Sequence, residues 1–152
     1  MVVRVRQIEG LPEDLDALLR ESLAEDFHAI AKLRDAWIDS GNRFDLPGEA
    51  LFEARARSEL VGVCGLNADP YLPASGVGRV RHLYVLPEAR RQGVASALVG
   101  AVVERASKHF HTVRLRTPSS DGAAAAFYEA LGFFRTAGED ACTHKLSLLS
   151  RG

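Results

Sequence analysis

The sequence predicts a single mixed α/β (α+β) domain over residues 1–152, in which a mainly antiparallel first half leads into a β-α-β unit and helices flank the central sheet. Three observations predict it. Period-two alternation marks strands at the start, middle and end of the chain. One long apolar stripe at steps of three and four marks a helix from residue 94 to 106. The order strand, helix, strand around that stripe implies a parallel crossover.

Val3 and Val5 alternate with Arg4 and Arg6, giving a first strand over 2–7. After Gly10, Leu15, Leu18 and Leu19 within 12–23, then Phe27, Ile30, Ala31 and Trp37 within 26–38, fall at helical spacing and predict two helices. Residues 39–48 are dense in turn formers, and behind them 50–56 and 59–65, parted by Arg57 and Ser58, read as a hairpin. A second loop, 67–78, carries two prolines and two glycines before a fourth strand over 79–85. The stripe Ala95, Leu98, Val99, Val102, Val103 and Ala106 is the clearest helix. Alternation of Val113 and Leu115 with arginines gives a strand over 112–117, the alanine-rich 123–131 a short helix, and 143–149 the last strand.

A chain of 152 residues, 47% hydrophobic and 26% charged, has the make-up of an ordinary globular protein, with enough length to hide roughly two-thirds of its surface. Its two cysteines, Cys64 and Cys142, have neither metal-ligand nor redox spacing, so a disulfide framework and a zinc site lack support and a reducing cytoplasm is the expected setting. No apolar core of a signal peptide and no run of about 18 apolar residues points to a membrane. The net charge of -1 is unevenly spread: residues 79–116 hold eight Lys and Arg against two Asp and Glu, while residues 1–78 hold eight against fourteen. The middle block is a candidate anion site or a solvated basic face.

Between the fourth strand and the long helix lies Leu86-Pro-Glu-Ala-Arg-Arg-Gln-Gly-Val-Ala95. Such a turn leaves backbone N–H groups unpaired, and these, with the helix dipole, favour an anion. Gly93 allows close approach to the backbone, Ala95 keeps the helix near the strand, and Arg90 and Arg91 add guanidinium donors suited to phosphate. A simple helix cap with solvated arginines would leave the same trace. The chain has neither G-x-x-x-x-G-K-[ST] nor G-x-G-x-x-G, so an ATPase loop and a dinucleotide fold are not indicated.

The segment Leu83-Tyr-Val-Leu-Pro-Glu-Ala-Arg-Arg-Gln-Gly-Val-Ala-Ser-Ala-Leu98 resembles the acetyl-CoA-binding motif of the GNAT superfamily of N-acetyltransferases, [RQ]-x-x-G-x-[GA], with Arg90, Gly93 and Ala95 at its defined positions. Downstream, Ala124-Ala-Ala-Phe-Tyr-Glu-Ala-Leu-Gly-Phe133 is similar to that superfamily's A-x-x-[FL]-Y-x-x-x-G-F signature. The resemblance spans residues 50–149 and, more loosely, the N-terminal elements. It implies a mixed sheet that splays open after the fourth strand, with the pantetheine arm in the gap. It also implies acetyl-CoA (coenzyme A) as co-substrate, no metal, and a coenzyme site made of Leu83, Tyr84, Val85, Arg90, Arg91, Gln92, Gly93, Val94, Ala95 and Ser96.

Moving an acyl group from a thioester to an amine needs a neutral nucleophile, a stabilised oxyanion and a proton for the leaving thiolate. The resemblance assigns the oxyanion to backbone N–H groups near Leu83 and Val85, and the proton to Tyr128, since a phenol of pKa near 10 is still protonated when a thiolate of pKa about 8.5 departs. Plain amphipathic packing of Phe127 and Tyr128 is the alternative. The base departs from the superfamily's pattern: where a glutamate is common, this chain has Arg79, which cannot accept a proton. His82 could accept one, although alternation puts it on the face opposite Arg79 and Arg81, and a buried, hydrogen-bonded histidine is the competing reading. Glu49, Glu53 and His144 are further candidates acting through a water. Cys64 reads as a small buried hydrophobe, and His109 and His111 lack further ligands for a metal.

Asp26, Asp35, Asp39, Asp45 and Glu49 make the first helices and the following loop acidic, which suits a cationic amine or simply a solvated surface. The expected activity is acetyl transfer to an amine of a small molecule or protein by direct attack in a ternary complex. The rival is a catalytically weak acyl-CoA-binding regulatory module, which the absent glutamate would suit. Neither nucleic acid nor a membrane is an expected partner, because the arginines of the basic block lie partly on sheet faces with few aromatics among them. An exposed C-terminal sheet edge could pair across a homodimer.

Overall fold

The computed structural model describes residues 2–72 and 76–148. Its strands are β1 (Val3–Ile8), β2 (Ala50–Ala56), β3 (Glu59–Ala68), β4 (Val77–Val85), β5 (Thr112–Leu115), β6 (Phe134–Arg135) and β7 (His144–Ser147). Together they form one sheet in the order β1-β2-β3-β4-β5-β7-β6. Helices α1 (Leu15–Ala24) and α2 (Ala29–Ile38) precede β2, α3 (Val94–Ala106) links β4 to β5, and α4 (Gly122–Ala130) follows β5. Every neighbouring pair is antiparallel except β4 with β5, the expected crossover.

The side chains of β3 show how the two faces are used. A Cβ on Gly62 would meet Leu98 of α3, whereas one on Gly65 would meet the Phe44 ring at 2.5 Å. Tyr84, paired with Val63, stacks on Phe27. One face therefore carries α3, and the other carries α1, α2 and the loop behind them. Val94, Leu98, Val99, Val102 and Ala106 of α3 are all buried, and the larger of these each contribute about 1.5–3 kcal/mol by leaving water. Both faces being covered, β2 reads as a continuous buried run from Ala50 to Ala54.

The strand limits differ from the expected ones for local reasons. β4 starts at Val77 because Val77 and Gly78 already pair with Thr112 and Val113, and β3 runs on to Ala68, so the predicted loop 67–78 is shorter. Pro73, Ala74 and Ser75 of that loop, and Met1 and Leu149 at the ends, lie outside the described residues. β6 was not expected, since two exposed residues have no period to read.

Two features of β4 shape the molecule's open side. Its pairing with β5 covers only Val77, Gly78 and Arg79 against Thr112, Val113 and Arg114, after which the strands diverge. Where β3 advances from Val63 to Gly65, β4 advances from Tyr84 to Arg81, one residue more, and His82 takes up the excess at φ 58°. That is a β-bulge, which bends the strand away from its neighbour.

Candidate active site

The divergence of β4 from β5 opens a cavity of about 840 Å³, walled by those strands, the start of α2 and α4. Parallel strands that part at their C-terminal ends leave a crevice there, a common location for ligands in α/β sheets.

Beyond β4, Pro87–Ala89 form a single 3-10 turn, Arg91 (φ 62°) and Gly93 (φ 80°) adopt left-handed conformations, and α3 begins at Val94 with no side chain capping it. The N–H of Ala97 bonds the Gly93 carbonyl at 3.0 Å, so the N–H groups of Val94, Ala95 and Ser96 emerge from the helix end without intrahelical partners. A Cβ on Gly93 would meet nothing within 4 Å, which leaves room for a ligand against the backbone. Of the ten expected coenzyme residues, Leu83, Tyr84, Val85, Arg90 and Ala95 line the cavity, and Arg91, Gln92, Gly93, Val94 and Ser96 form the adjoining turn, with the Val94 side chain in the core.

Arg90 is already engaged. Its Nε donates to the Val85 carbonyl at 3.0 Å, and its two terminal nitrogens donate to the Glu25 carboxylate at 2.9 and 2.7 Å. The same carboxylate accepts the Tyr84 hydroxyl at 2.6 Å. Hydrogen bonds from Arg90 and Tyr84 hold the Glu25 carboxyl below its ordinary range, while burial and the Glu25 charge push the Tyr84 phenol up. Glu25 carries no motif, and nothing in the sequence announced it.

The backbone of β4 offers donors to the crevice. Leu86 N–H is bound to Val61 on β3, and the Val85 carbonyl faces the other way, toward Arg90. By alternation the N–H groups of Val85 and Leu83 face the open edge. Across the crevice stands Tyr128 of α4, 7% exposed, packed edge-on against Phe127 and Phe133 at 5.0 and 5.5 Å. The residue lines the cavity, and its hydroxyl makes no hydrogen bond among the described residues. Burial, and then nearby Cys64 and Asp121, push its phenol far above the ordinary value. Cys64 is itself fully buried, its thiol pushed up to about 12 by burial.

His82 does not sit where alternation put it. The left-handed bulge residue rotates the chain, and the imidazole lies on the same face as Arg79 and Arg81, edge-on to Phe44 at 6.0 Å. Burial lowers its pKa to about 4, with Arg81 and Lys32 adding to the shift and the Ala29 backbone opposing it. It lines the cavity as a neutral ring at pH 7.

The other base candidates lie away from the cavity. Glu53 is bound by Arg6 at 2.7 Å and Arg55 at 3.0 Å; although burial works against it, those bonds keep its carboxyl below the usual range. Glu49 accepts the N–H groups of Leu46 and Ala68, and His144 is held between Thr143 and Glu129. Nor does the acidic N-terminal region surround the cavity: of Asp26, Asp35, Asp39, Asp45 and Glu49, Asp26 alone lines it, 2.9 Å from His28. Charge counted along the chain does not say which way the loop after α2 turns.

Instead the crevice face is basic. Arg79 is in register with Arg114, so Arg79, Arg81, Arg114 and Arg116 project from one side of the diverging strands. Asp69, fully buried, lies 2.9 Å from Arg114 and 3.5 Å from Arg79, and the Tyr71 ring covers Arg79 at 4.7 Å. The period-two arginines in two strands were the available signal for this grouping. Among the described residues, no three His, Cys, Asp or Glu side chains gather to hold a metal, and no helix is long and apolar enough to cross a membrane.

A family model for the acetyltransferase (GNAT) family matches residues 14–133, the span that holds the turn, the crevice and Tyr128. The chain belongs to the GNAT acetyltransferase family. Membership implies acyl transfer, and the mixed sheet is the GNAT fold. Among solved structures, a candidate acetyltransferase from Exiguobacterium sp. 255-15 is 29% identical, with a TM-score of 0.83 over 97% of this chain and 94% of that one. A GNAT-family candidate acetyltransferase from Desulfovibrio desulfuricans is 20% identical, with a TM-score of 0.75 over 97% and 99% of the two chains. An N-acetyltransferase from Staphylococcus aureus Mu50 is 21% identical, with a TM-score of 0.72 over 97% and 99%. These last two share the fold. No curated protein sequence matches the chain significantly.

Proposed function

We propose that the protein transfers an acetyl group from acetyl-CoA to an amine by direct attack within a ternary complex. The observation that carries the reading is the juxtaposition, along one crevice, of an uncapped α3 N-terminus, the free N–H edge of β4 and the unbonded Tyr128 hydroxyl.

The N–H groups of Val94, Ala95 and Ser96, with Gly93 open beside them, suit a pyrophosphate. Arg90 joins them once its exposed pair with Glu25 opens, and pairs of that kind hold only about 0.2–1 kcal/mol. The Leu83 and Val85 N–H groups are aimed where an oxyanion would develop, and as backbone groups they need no reorganisation. Tyr128, which burial keeps protonated while making it a weaker acid, hydrogen-bonds the sulfur and gives up its proton only as the C–S bond breaks. His82 is neutral at pH 7 but weakly basic, so the amine must arrive uncharged, and His82 or solvent takes the proton released on attack. Both cysteines are free and buried, which suits a cytoplasmic setting and a mechanism without an acyl-cysteine.

Thiol release from acetyl-CoA, followed over a panel of small-molecule and protein amines beside calorimetric titration of acetyl-CoA, tests the reading. Binding and amine-dependent release are expected. Binding with no release on a broad panel would favour the regulatory acyl-CoA module, and no binding would overturn both.

A further inference from the structure

The crevice holds more positive charge than the coenzyme turn accounts for. Its three carboxylates are all engaged: Glu25 by Arg90 and Tyr84, Asp26 by His28, and Asp121 by the N–H of Ala124 as the cap of α4. Its cations are not. Lys32, Arg81 and Arg116 line the cavity and make no ion pair or side-chain hydrogen bond among the described residues. Arg79, its side chain 8% exposed, keeps a buried Nη1 that makes no hydrogen bond, and shares Asp69 with Arg114. Buried Asp69 and Glu139, the latter with its side chain 35% exposed and 3.8 Å from Arg114, therefore stand beside two buried guanidinium groups, with two more arginines, Arg81 and Arg116, two residues further along the same strands.

Arg79 and its register partner Arg114 are remote from the phosphate turn. Arg79 precedes Val85 by six residues of β4, about 20 Å at roughly 3.3 Å per residue, so Arg79 and the α3 N-terminus stand toward opposite ends of the crevice. A second anion, separate from the pyrophosphate, is what such a surface recognises, and guanidinium forks suit a carboxylate or phosphate. Burial draws Arg79 below its ordinary pKa, with Asp69 opposing and Arg81 adding to that shift.

We infer that the acceptor is a small amine that itself carries an anionic group, a carboxylate or phosphate, bound by Arg79, Arg81 and Arg116 on the crevice face of β4 and β5. The inference rests on the acetyltransferase reading for its amine and on the arginine face for its anion. It reverses the expectation of a cationic acceptor drawn from the acidic N-terminal region. Asp69 acts as a positioning residue, holding Arg79 and Arg114 in place.

The test measures kcat/KM for thiol release with the standard amino acids, their amides, 3-aminopropylphosphonate and 1,4-diaminobutane. The best anionic acceptor should exceed its neutral counterpart by at least about tenfold. R81Q and R116Q, at half-buried and exposed positions, should each raise the KM of that acceptor about five- to tenfold and leave the acetyl-CoA Kd unchanged. Phosphonate preferred over carboxylate would assign the anion as phosphate-like. Amides or the diamine matching the acids would overturn the inference while leaving the transferase reading intact. Silence across the panel despite acetyl-CoA binding would sink the transferase reading instead. The anion site would then be judged by calorimetry of the same amino acids and phosphonate on the coenzyme-A-saturated protein. Binding weakened tenfold in R81Q supports the site, and no binding overturns it.

Discussion

The two ends of the crevice recognise charge by different means. At the α3 end the donors are backbone N–H groups, and the one cation lining the cavity there, Arg90, already has a carboxylate in Glu25. At the β4–β5 face the donors are side chains, and two of the four arginines, Arg81 and Arg116, have no counter-ion among the described residues. The difference teaches which part of the site is general and which is particular. Backbone donors tolerate almost any side chain that permits the turn, so they suit a co-substrate common to a whole family. Side-chain donors change with each sequence, so on the proposed reading the arginine face is where this chain's own acceptor is selected.

The sharpest way to break the comparison is at the chemistry between the two ends. Tyr128→Phe should lower kcat by about 10²–10⁴-fold, as loss of a general acid does, with the acetyl-CoA Kd within about twofold. An unchanged kcat would reduce Tyr128 to packing. Because its phenol is raised far above 10, the wild type should show no alkaline decline from this group up to pH 10.

Next in size is the backbone end. Gly93 sits at φ 80°, a conformation hostile to a β-branched residue, and valine there would also fill the space against the turn. Gly93→Val should weaken acetyl-CoA by about 100-fold, or about 2.7 kcal/mol, by calorimetry. Removal of a charge at the same end should matter far less. Glu25→Gln weakens the hold on Arg90, and acetyl-CoA should then bind about two- to fivefold more tightly with acceptor KM unchanged. Weaker coenzyme binding would instead make Glu25 a support for Arg90.

A smaller effect sharpens the picture of the side-chain end. The folded pKa of His82, about 4, lies below its ordinary value of 6.5, so as pH falls the unfolded chain takes up the proton first. The stability present above pH 6.5 is lost between 6.5 and 4, on the order of 2 kcal/mol after allowance for partial exposure. His82→Asn, which tolerates a left-handed φ, should flatten that part of a denaturation series. An identical slope in the variant would show that the histidine is not desolvated, and that Arg81 and Lys32 do not bear on it.

The sequence was most legible where local rules hold. The stripe of α3, the hairpin of β2 and β3, and the turn from Arg90 to Ala95 each follow from residues close together in the chain, and the Tyr128 position from a local signature. His82 was misplaced because a single left-handed residue reverses the alternation that was used to orient it. Glu25 could not be foreseen, since its partners lie 59 and 65 residues away. The arginine face was half visible: the period-two arginines of β4 and β5 were plain, but only the Arg79–Arg114 register brings them onto one wall. Of the acidic residues in the first helices and the following loop, Asp26 alone reaches the cavity, a placement that net charge counted along the chain does not contain.

The central claim is that the crevice between β4 and β5 passes an acyl group from coenzyme A to an amine. The direct measurement supplies acetyl-CoA labelled in its acetyl carbons and follows the label by mass spectrometry. The account predicts one labelled acetyl group in amide linkage on the acceptor for each coenzyme A thiol released, with the protein itself unlabelled. Thiol release with the label recovered as free acetate, or on Cys64 or Cys142, would contradict it.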